Sequence, residues 1–270
     1  MHRISPIRKI FNALLVRTGS IWHAMRDYIN KCANKGKPKL LIFTDSRGYE
    51  VTKAWNRKSA YSSYVGHLAK DFDVDYVICP EFSTTIVDFL YEYQQRCEQG
   101  KSYDAVIAHV GVVDFSPRPV TMLNDMMAAK GHKLASLFDS EFDLTAYHQD
   151  AFLTLYDGKP VKNFYPTSYL IEHVIPALKR IDNLVMIGCS PVVEHWRGNY
   201  WRDRPHNMNM ILDYSAMMQK EIFNFVDISM WDEQQVKTFT VDNIHLNAAG
   251  FEVVYEALCC ELSELGLMKK

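Results

Sequence analysis

Three residues of this chain have the side chains and the spacing for nucleophilic acyl chemistry: Ser46 and, about two hundred positions later, Asp242 and His245. A serine hydroxyl is a weak nucleophile until an imidazole takes its proton. That imidazole needs a carboxylate on its other nitrogen to hold its tautomer and orientation. In Asp242-Asn243-Ile244-His245-Leu246-Asn247 the acid and the imidazole stand three positions apart, so one turn can bring them together. Each residue also has an ordinary structural alternative. Ser46 after Asp45 suits a helix cap, Asp242 and Asn243 suit a turn, His245 suits a loop, and Asn247 suits the cap of a last helix.

Whether the two segments meet depends on the elements between them. Apolar runs at 40–43, 74–79, 104–110, 184–189 and 225–228 are spaced for strand and helix alternation, and several are continuously apolar. Helical patterns follow at 86–97, 168–181, 208–223 and 248–265. The pattern predicts an α/β fold, a doubly wound and mostly five-stranded parallel sheet in a three-layer sandwich. In such folds the site forms from loops at the carboxyl ends of the strands. Ser46 follows the first run, Gly111 to Asp114 the third, and Ser190 onward the fourth.

Thr44-Asp45-Ser46, together with Asp242-x-x-His245-Leu246-Asn247 and Gly250 ahead of a C-terminal helix, resembles the SGNH (GDSL-type) hydrolase superfamily over roughly residues 39–270. The resemblance implies Ser46 as nucleophile, His245 as general base and Asp242 as its orienting carboxylate. The middle motifs depart from the family's pattern. Where the family has Gly-x-Asn-Asp, with the Asn donating to the oxyanion, this chain has Gly111-Val112-Val113-Asp114, and Val113 has nothing to donate. For the family's second-motif Gly, Glu81-Phe82-Ser83-Thr84-Thr85 offers the Phe82 amide, so Ser46 and Phe82 make a two-donor hole. Loss of one donor costs about 100- to 1000-fold in rate. Asp114 is expected as an internal loop clamp, Asp45 as a partner of loop N–H groups, and His109 as a core histidine with one hydrogen bond.

Composition bounds the rest. The 270 residues are 48% hydrophobic, enough for one full core with extensions. Six cysteines include no Cys-x-x-Cys pair, which fits a reducing compartment and predicts a cytoplasmic protein. No Gly-rich phosphate loop, metal-ligand spacing, repeat or low-complexity tract appears, so no cofactor and no metal are expected. Residues 1–38 read as a separate arm and linker. Through Lys39 the chain carries nine Lys/Arg against one acid, a net +8, which leaves −10 for the remainder. Ile7, Ile10, Phe11, Leu14, Leu15, Ile21, Trp22 and Met25 recur there at helical spacing. Packing on the domain, self-association, and peripheral contact with the inner face of a membrane are three readings of that helix.

Two insertions shape the expected site. Residues 115–166 open with Ser116-Pro117-Arg118-Pro119, whose prolines stiffen the exit from the third motif and place Arg118 near the site. Residues 190–207 hold three aromatics and three arginines in the nine positions from Trp196 to Arg204. Flat rings suit sugar faces and guanidinium forks suit anions, so Trp196, Arg197, Trp201 and Arg202, with Arg47 and Arg118, are the candidate substrate-binding set. A surface loop folded on its own aromatics is the alternative. The acidic body argues against nucleic acid. The expected activity is a serine esterase or acyltransferase on an acylated glycan or glycoconjugate precursor, through an acyl-Ser46 intermediate. The alternative is an SGNH-fold glycan-binding or assembly protein without catalysis.

Overall fold

Strands with no polar alternation must be covered on both faces, and the central strands of this chain are. The computed structural model describes residues 6–52, 58–139, 142–200 and 203–268. Its main sheet holds β1 (Lys39–Thr44), β2 (Asp73–Ile78), β3 (Ala105–His109), β7 (Leu184–Ile187) and β8 (Asn224–Val226), all parallel, in the order β2-β1-β3-β7-β8. Successive side chains alternate between two cores. Leu41, Phe43, Val106, Ala108 and Met186 point into one, and Leu40, Ile42, Ala105, Ile107, Val185 and Ile187 into the other. The first core is roofed by α3 (Ile86–Glu98), α5 (Val120–Leu137), α9 (Met210–Glu221) and the stretch in which a π turn, Leu170–Val174, joins α7 (Thr167–Tyr169) to α8 (Ile175–Leu178). Pro176 has no N–H for the helical ladder, which accounts for the slip just ahead of it. The second core is roofed by α2 (Tyr64–Asp71) and α11 (Ala248–Glu264). These are the layers and the order of a doubly wound sheet.

Residues 115–166, expected only as an insertion, have structure of their own. β4 (Arg118–Pro119), β5 (Thr154–Tyr156) and β6 (Lys159–Lys162) form an antiparallel sheet of order β4-β6-β5, accompanied by α5 and α6 (Leu144–Gln149). α5 packs on α3 through a cluster of buried charges. Lys130 and Lys133 each bind both Asp88 and Glu81, with Lys130 Nζ 3.2 Å from Glu81 and Lys133 Nζ 2.7 Å from Asp88. Asp88 also completes the cap of α3 with Thr85, accepting its amide at 2.8 Å. The loop after β2, including Glu81 and Phe82, is thereby tied to two helices.

Helix α1 (Pro6–Ala33) lies against α2 and edge strand β2. Asn34 ends it by donating to the carbonyls of Ala69 and Phe72, both at 2.9 Å, which seats its carboxyl end on the domain.

Candidate active site

The carboxyl ends of β1, β3 and β7 place the first half of the site. Asp45 leaves β1 with its amide on the His109 carbonyl at 2.9 Å, and its side chain caps the tight turn Ser46–Gly48 by accepting the Arg47 amide at 2.9 Å. A Cβ on Gly48 would lie 1.9 Å from Thr44 Oγ1, so only glycine lets the turn fold back onto its strand. The turn presents Ser46 Oγ outward, half-buried.

The second half comes from the loop between α10 (Glu233–Phe239) and α11, closed by the Thr240–Leu246 bridge. Asn247 caps α11 through the Gly250 amide at 3.1 Å. A Cβ at Gly250 would sit 2.1 Å from the Phe239 carbonyl, so glycine lets the helix approach that close. Within this loop His245 Nδ1 lies 2.8 Å from Asp242 Oδ2 and 3.1 Å from Oδ1, and His245 Nε2 lies 2.9 Å from Ser46 Oγ. A carboxylate accepts only, so Nδ1 carries the proton and Nε2 is left with the lone pair that faces the serine hydroxyl. Burial alone would raise the Asp242 pKa. The bond and charge of the His245 ring, the His245 amide and the Arg204 guanidinium outweigh it and bring the acid to about 2.

The third-motif segment lies beside this pair and is firmly held. Gly111, at φ 112°, caps the short helix α4 (Val112–Phe115), where a Cβ would meet the Phe115 ring at 2.8 Å. Val113 is buried in the apolar core, and its carbonyl accepts from Arg118 Nε at 2.7 Å. Asp114 is fully buried and clamps three segments. Its carboxylate accepts the Ile86 amide at 3.0 Å and the Tyr165 hydroxyl, and its carbonyl accepts the Phe164 amide at 2.8 Å. Burial raises its pKa to about 7, against the pull of the Tyr165 and Ile86 bonds. Burial also lowers the Arg118 pKa to about 10, with Asp114 and Asp45 among the charges acting on it. His109 is buried with the Tyr64 hydroxyl 2.8 Å from Nδ1, and burial followed by the Arg47 charge keeps it well below the ordinary imidazole range.

Several expected roles change. Arg47 is not a substrate ligand: it is 3% exposed, forked onto Asp45 with Nη2 to Oδ2 at 2.9 Å, and donates to the Gly188 carbonyl at 3.1 Å. An arginine whose Nε, Nη1 and Nη2 all find acceptors beneath the turn braces Ser46 from inside. Phe82 stands on the loop after β2 at the correct edge, with its ring 85% exposed. Next to it Ser83 adopts φ 58°, and its hydroxyl is buried without a partner. Trp196 and Arg197 do line a cleft of about 850 Å³, together with Arg204, His206, Asn209 and Asn243, but neither Ser46 nor His245 borders it. The Arg197 guanidinium is paired within its own loop, 2.9 Å from Asp203. Trp201 and Arg202 lie outside the described residues.

Two residues of the site escaped the sequence reading. Arg204 Nη2 stands 3.2 Å from Asp242 Oδ2 and donates to the Asp242 carbonyl at 2.5 Å, while its guanidinium lies 4.3 Å from the centre of the Tyr200 ring. Asn243, at φ 75°, staples the insertion to the triad loop. It accepts the Val193 amide at 2.8 Å and donates to the Val193 carbonyl at 3.1 Å and to that of Trp196. The Asn243 signal was its place between acid and imidazole; Arg204 was visible only as one arginine among three. Among the described residues no group of three His, Cys, Asp or Glu side chains could hold a metal ion.

No sequence-family profile matches the chain, and no curated protein matches it. Solved structures do. A lipase/acylhydrolase from Enterococcus faecalis is similar over 86% of this chain and 97% of its own, at 13% identity and a TM-score of 0.47. A psychrotrophic esterase from Pseudoalteromonas sp. is similar over 84% and 98%, at 10% identity and a TM-score of 0.42. Similarity at this level does not bear on the chemistry, which rests on the atoms of the site.

Proposed function

We propose that the protein is a serine-dependent ester hydrolase or acyltransferase that works through an acyl-Ser46 intermediate. The observation that carries this reading is the unbroken chain from Ser46 Oγ to His245 Nε2 at 2.9 Å and from His245 Nδ1 to Asp242 at 2.8 Å. As Ser46 Oγ attacks the acyl carbonyl, His245 Nε2 takes its proton, and Asp242 stabilises the imidazolium without itself being protonated. Collapse of the tetrahedral intermediate breaks the bond to the leaving alcohol, which receives the proton from Nε2. Water or a second alcohol then gives its proton to His245 Nε2 and attacks the acyl-serine; collapse breaks the bond between the acyl carbon and Ser46 Oγ, Nε2 returns the proton to that oxygen, and the acyl group is left on the acceptor.

The finer reading is an O-acyl group on a glycan or glycoconjugate precursor. Supporting it is the cleft of Trp196 and Arg197, built from the segment that Asn243 ties to the triad loop. Val113 favours a second reading, a glycan-binding or assembly protein, because it stands in the sequence where the resemblance puts the oxyanion-donating Asn. A serine-directed organophosphonate separates the two. Wild type should be labelled once, at Ser46, and Ser46→Ala or His245→Ala should lose the label. Inert wild-type protein would leave only the binding reading.

A further inference from the structure

Helix α1 is mounted the wrong way round for a helix of a soluble domain. Its polar side faces the protein: His23 is buried, Arg26 donates to the Gly66 carbonyl at 3.4 Å, Asp27 accepts from the Tyr76 hydroxyl, and Asn34 is buried. Its apolar side faces out. Ile21 is 65% exposed, Trp22 50%, Met25 55%, Tyr28 71% and Ile29 55%, on one line of the helix. The sequence ahead of it repeats the same apolar spacing at Ile7, Ile10, Phe11 and Leu14, whose side chains lie outside the described ones.

The helix also reaches beyond the domain. α2 runs from the carboxyl edge of the sheet, where Tyr64 meets His109, to the amino edge, where the Asp73 amide meets the Pro38 carbonyl at 3.1 Å. α1 runs beside it in the same direction, from Trp22 against Tyr61 to Asn34 against Phe72. Its earlier turns, from Pro6 to Trp22, therefore extend past the carboxyl edge, the edge that carries Ser46, by roughly 24 Å at 1.5 Å per residue.

We propose that α1 seats the protein on an anionic lipid surface. Charge selects this occupant over a second copy. Pairing the stripe with itself about a two-fold axis would set a +8 segment against another +8 segment. An anionic surface instead attracts the arm and repels the −10 remainder, which orients the molecule with the helix against the lipid. Arg17, Lys35 and Lys37 are exposed along the described helix and just beyond it, while Lys31 is paired with Asp75 at 2.6 Å. Trp22 and Tyr28 have the apolar body and polar tip suited to the headgroup layer. No described helix is long and apolar enough to cross a membrane, so the contact is one of lying on the surface. If the proposed acyl chemistry holds, esters carried on that surface are presented beside Ser46.

Full-length protein should co-sediment with vesicles of phosphatidylcholine and phosphatidylglycerol and much less with phosphatidylcholine alone. The combined Ile21→Asp, Met25→Asp and Ile29→Asp protein, its fold checked by circular dichroism, should partition at least about tenfold more weakly. In 1 M salt, where the Debye length is about 3 Å, wild-type binding should fall several-fold. Ser46→Ala protein should sediment like wild type, which keeps this test independent of catalysis. Equal binding by the stripe variant, or equal binding to both vesicle types, would overturn the proposal. So would absence of vesicle binding together with a dimer that the three substitutions dissociate, which would assign the stripe to a second copy.

Discussion

Around the Asp242 carboxylate four donors converge: the His245 ring, the His245 and Ile244 amides, and Arg204. Its folded pKa of about 2 lies below the ordinary value near 4, so its contribution to stability is present above about pH 4 and lost as pH falls through 2. The contribution is about 2 kcal/mol. Urea unfolding should find Asp242→Asn less stable by about that amount at pH 7, with the gap closing between pH 4 and pH 2. Arg204→Met should relax the same carboxylate and lower kcat by roughly tenfold with little change in KM, because it removes support for the imidazolium rather than a substrate contact. Val113→Asn asks the converse question. If the amide reaches the oxyanion, hydrolysis of small activated esters should rise by about tenfold, short of two to three decades because the surroundings were not shaped to orient it. The gain should require both Ser46 and His245.

Among the elements, Asp114 joins α3, α4 and the strand-to-helix segment at Tyr165. Its pKa is raised to about 7, so the folded state holds a proton that the unfolded chain releases near pH 4, and stability falls as pH rises from 4 to 7. Asp114→Asn keeps an Oδ1 acceptor for both the Ile86 amide and the Tyr165 hydroxyl. Thermal unfolding should show it matching wild type near pH 4 and gaining steadily up to pH 7. The α3–α5 contact behaves differently because its charges are paired. Lys130→Ala should cost about 3 kcal/mol in urea unfolding, since it leaves Asp88 and Glu81 to Lys133 alone. That network was illegible beforehand: Glu81, Asp88, Lys130 and Lys133 are ordinary solvated residues by composition, and only the packing of α5 on α3 buries Asp88, Lys130 and Lys133 and draws Glu81 onto them.

For the whole molecule, the distribution of apolar contacts sets which parts are firm. The two cores of the sheet are closed, whereas α1 is held largely by polar contacts to α2 and β2. Hydrogen exchange should therefore open residues 17–33 well before β1, β3 and β7. Asn34→Ala, which strips a partner from the Ala69 and Phe72 carbonyls, should speed exchange in that helix and leave the sheet unchanged.

The parts of this design that were legible in advance are those written locally. Short uninterrupted apolar runs alternating with longer helical patterns read as strands covered on both sides, so β1, β3 and β7 could be named with boundaries within a few residues, as could α3, α9 and α11. The spacing of Asp242 and His245 is short enough for one loop to contain their contact, and Asn247 caps α11 as its type suggested. What needed the third dimension was every relation across long stretches of chain. The strand order put Ser46 within 2.9 Å of a residue 199 positions away. It also turned Arg47 inward, because an unpaired carboxylate at Asp45 and an open carbonyl at Gly188 lie beneath the turn. The same packing carried Arg204 to Asp242 and turned the apolar stripe of α1 outward. Neighbours along a chain limit which element forms, but the partner of a charge or of an apolar face is chosen by whatever the packed sheet brings alongside it.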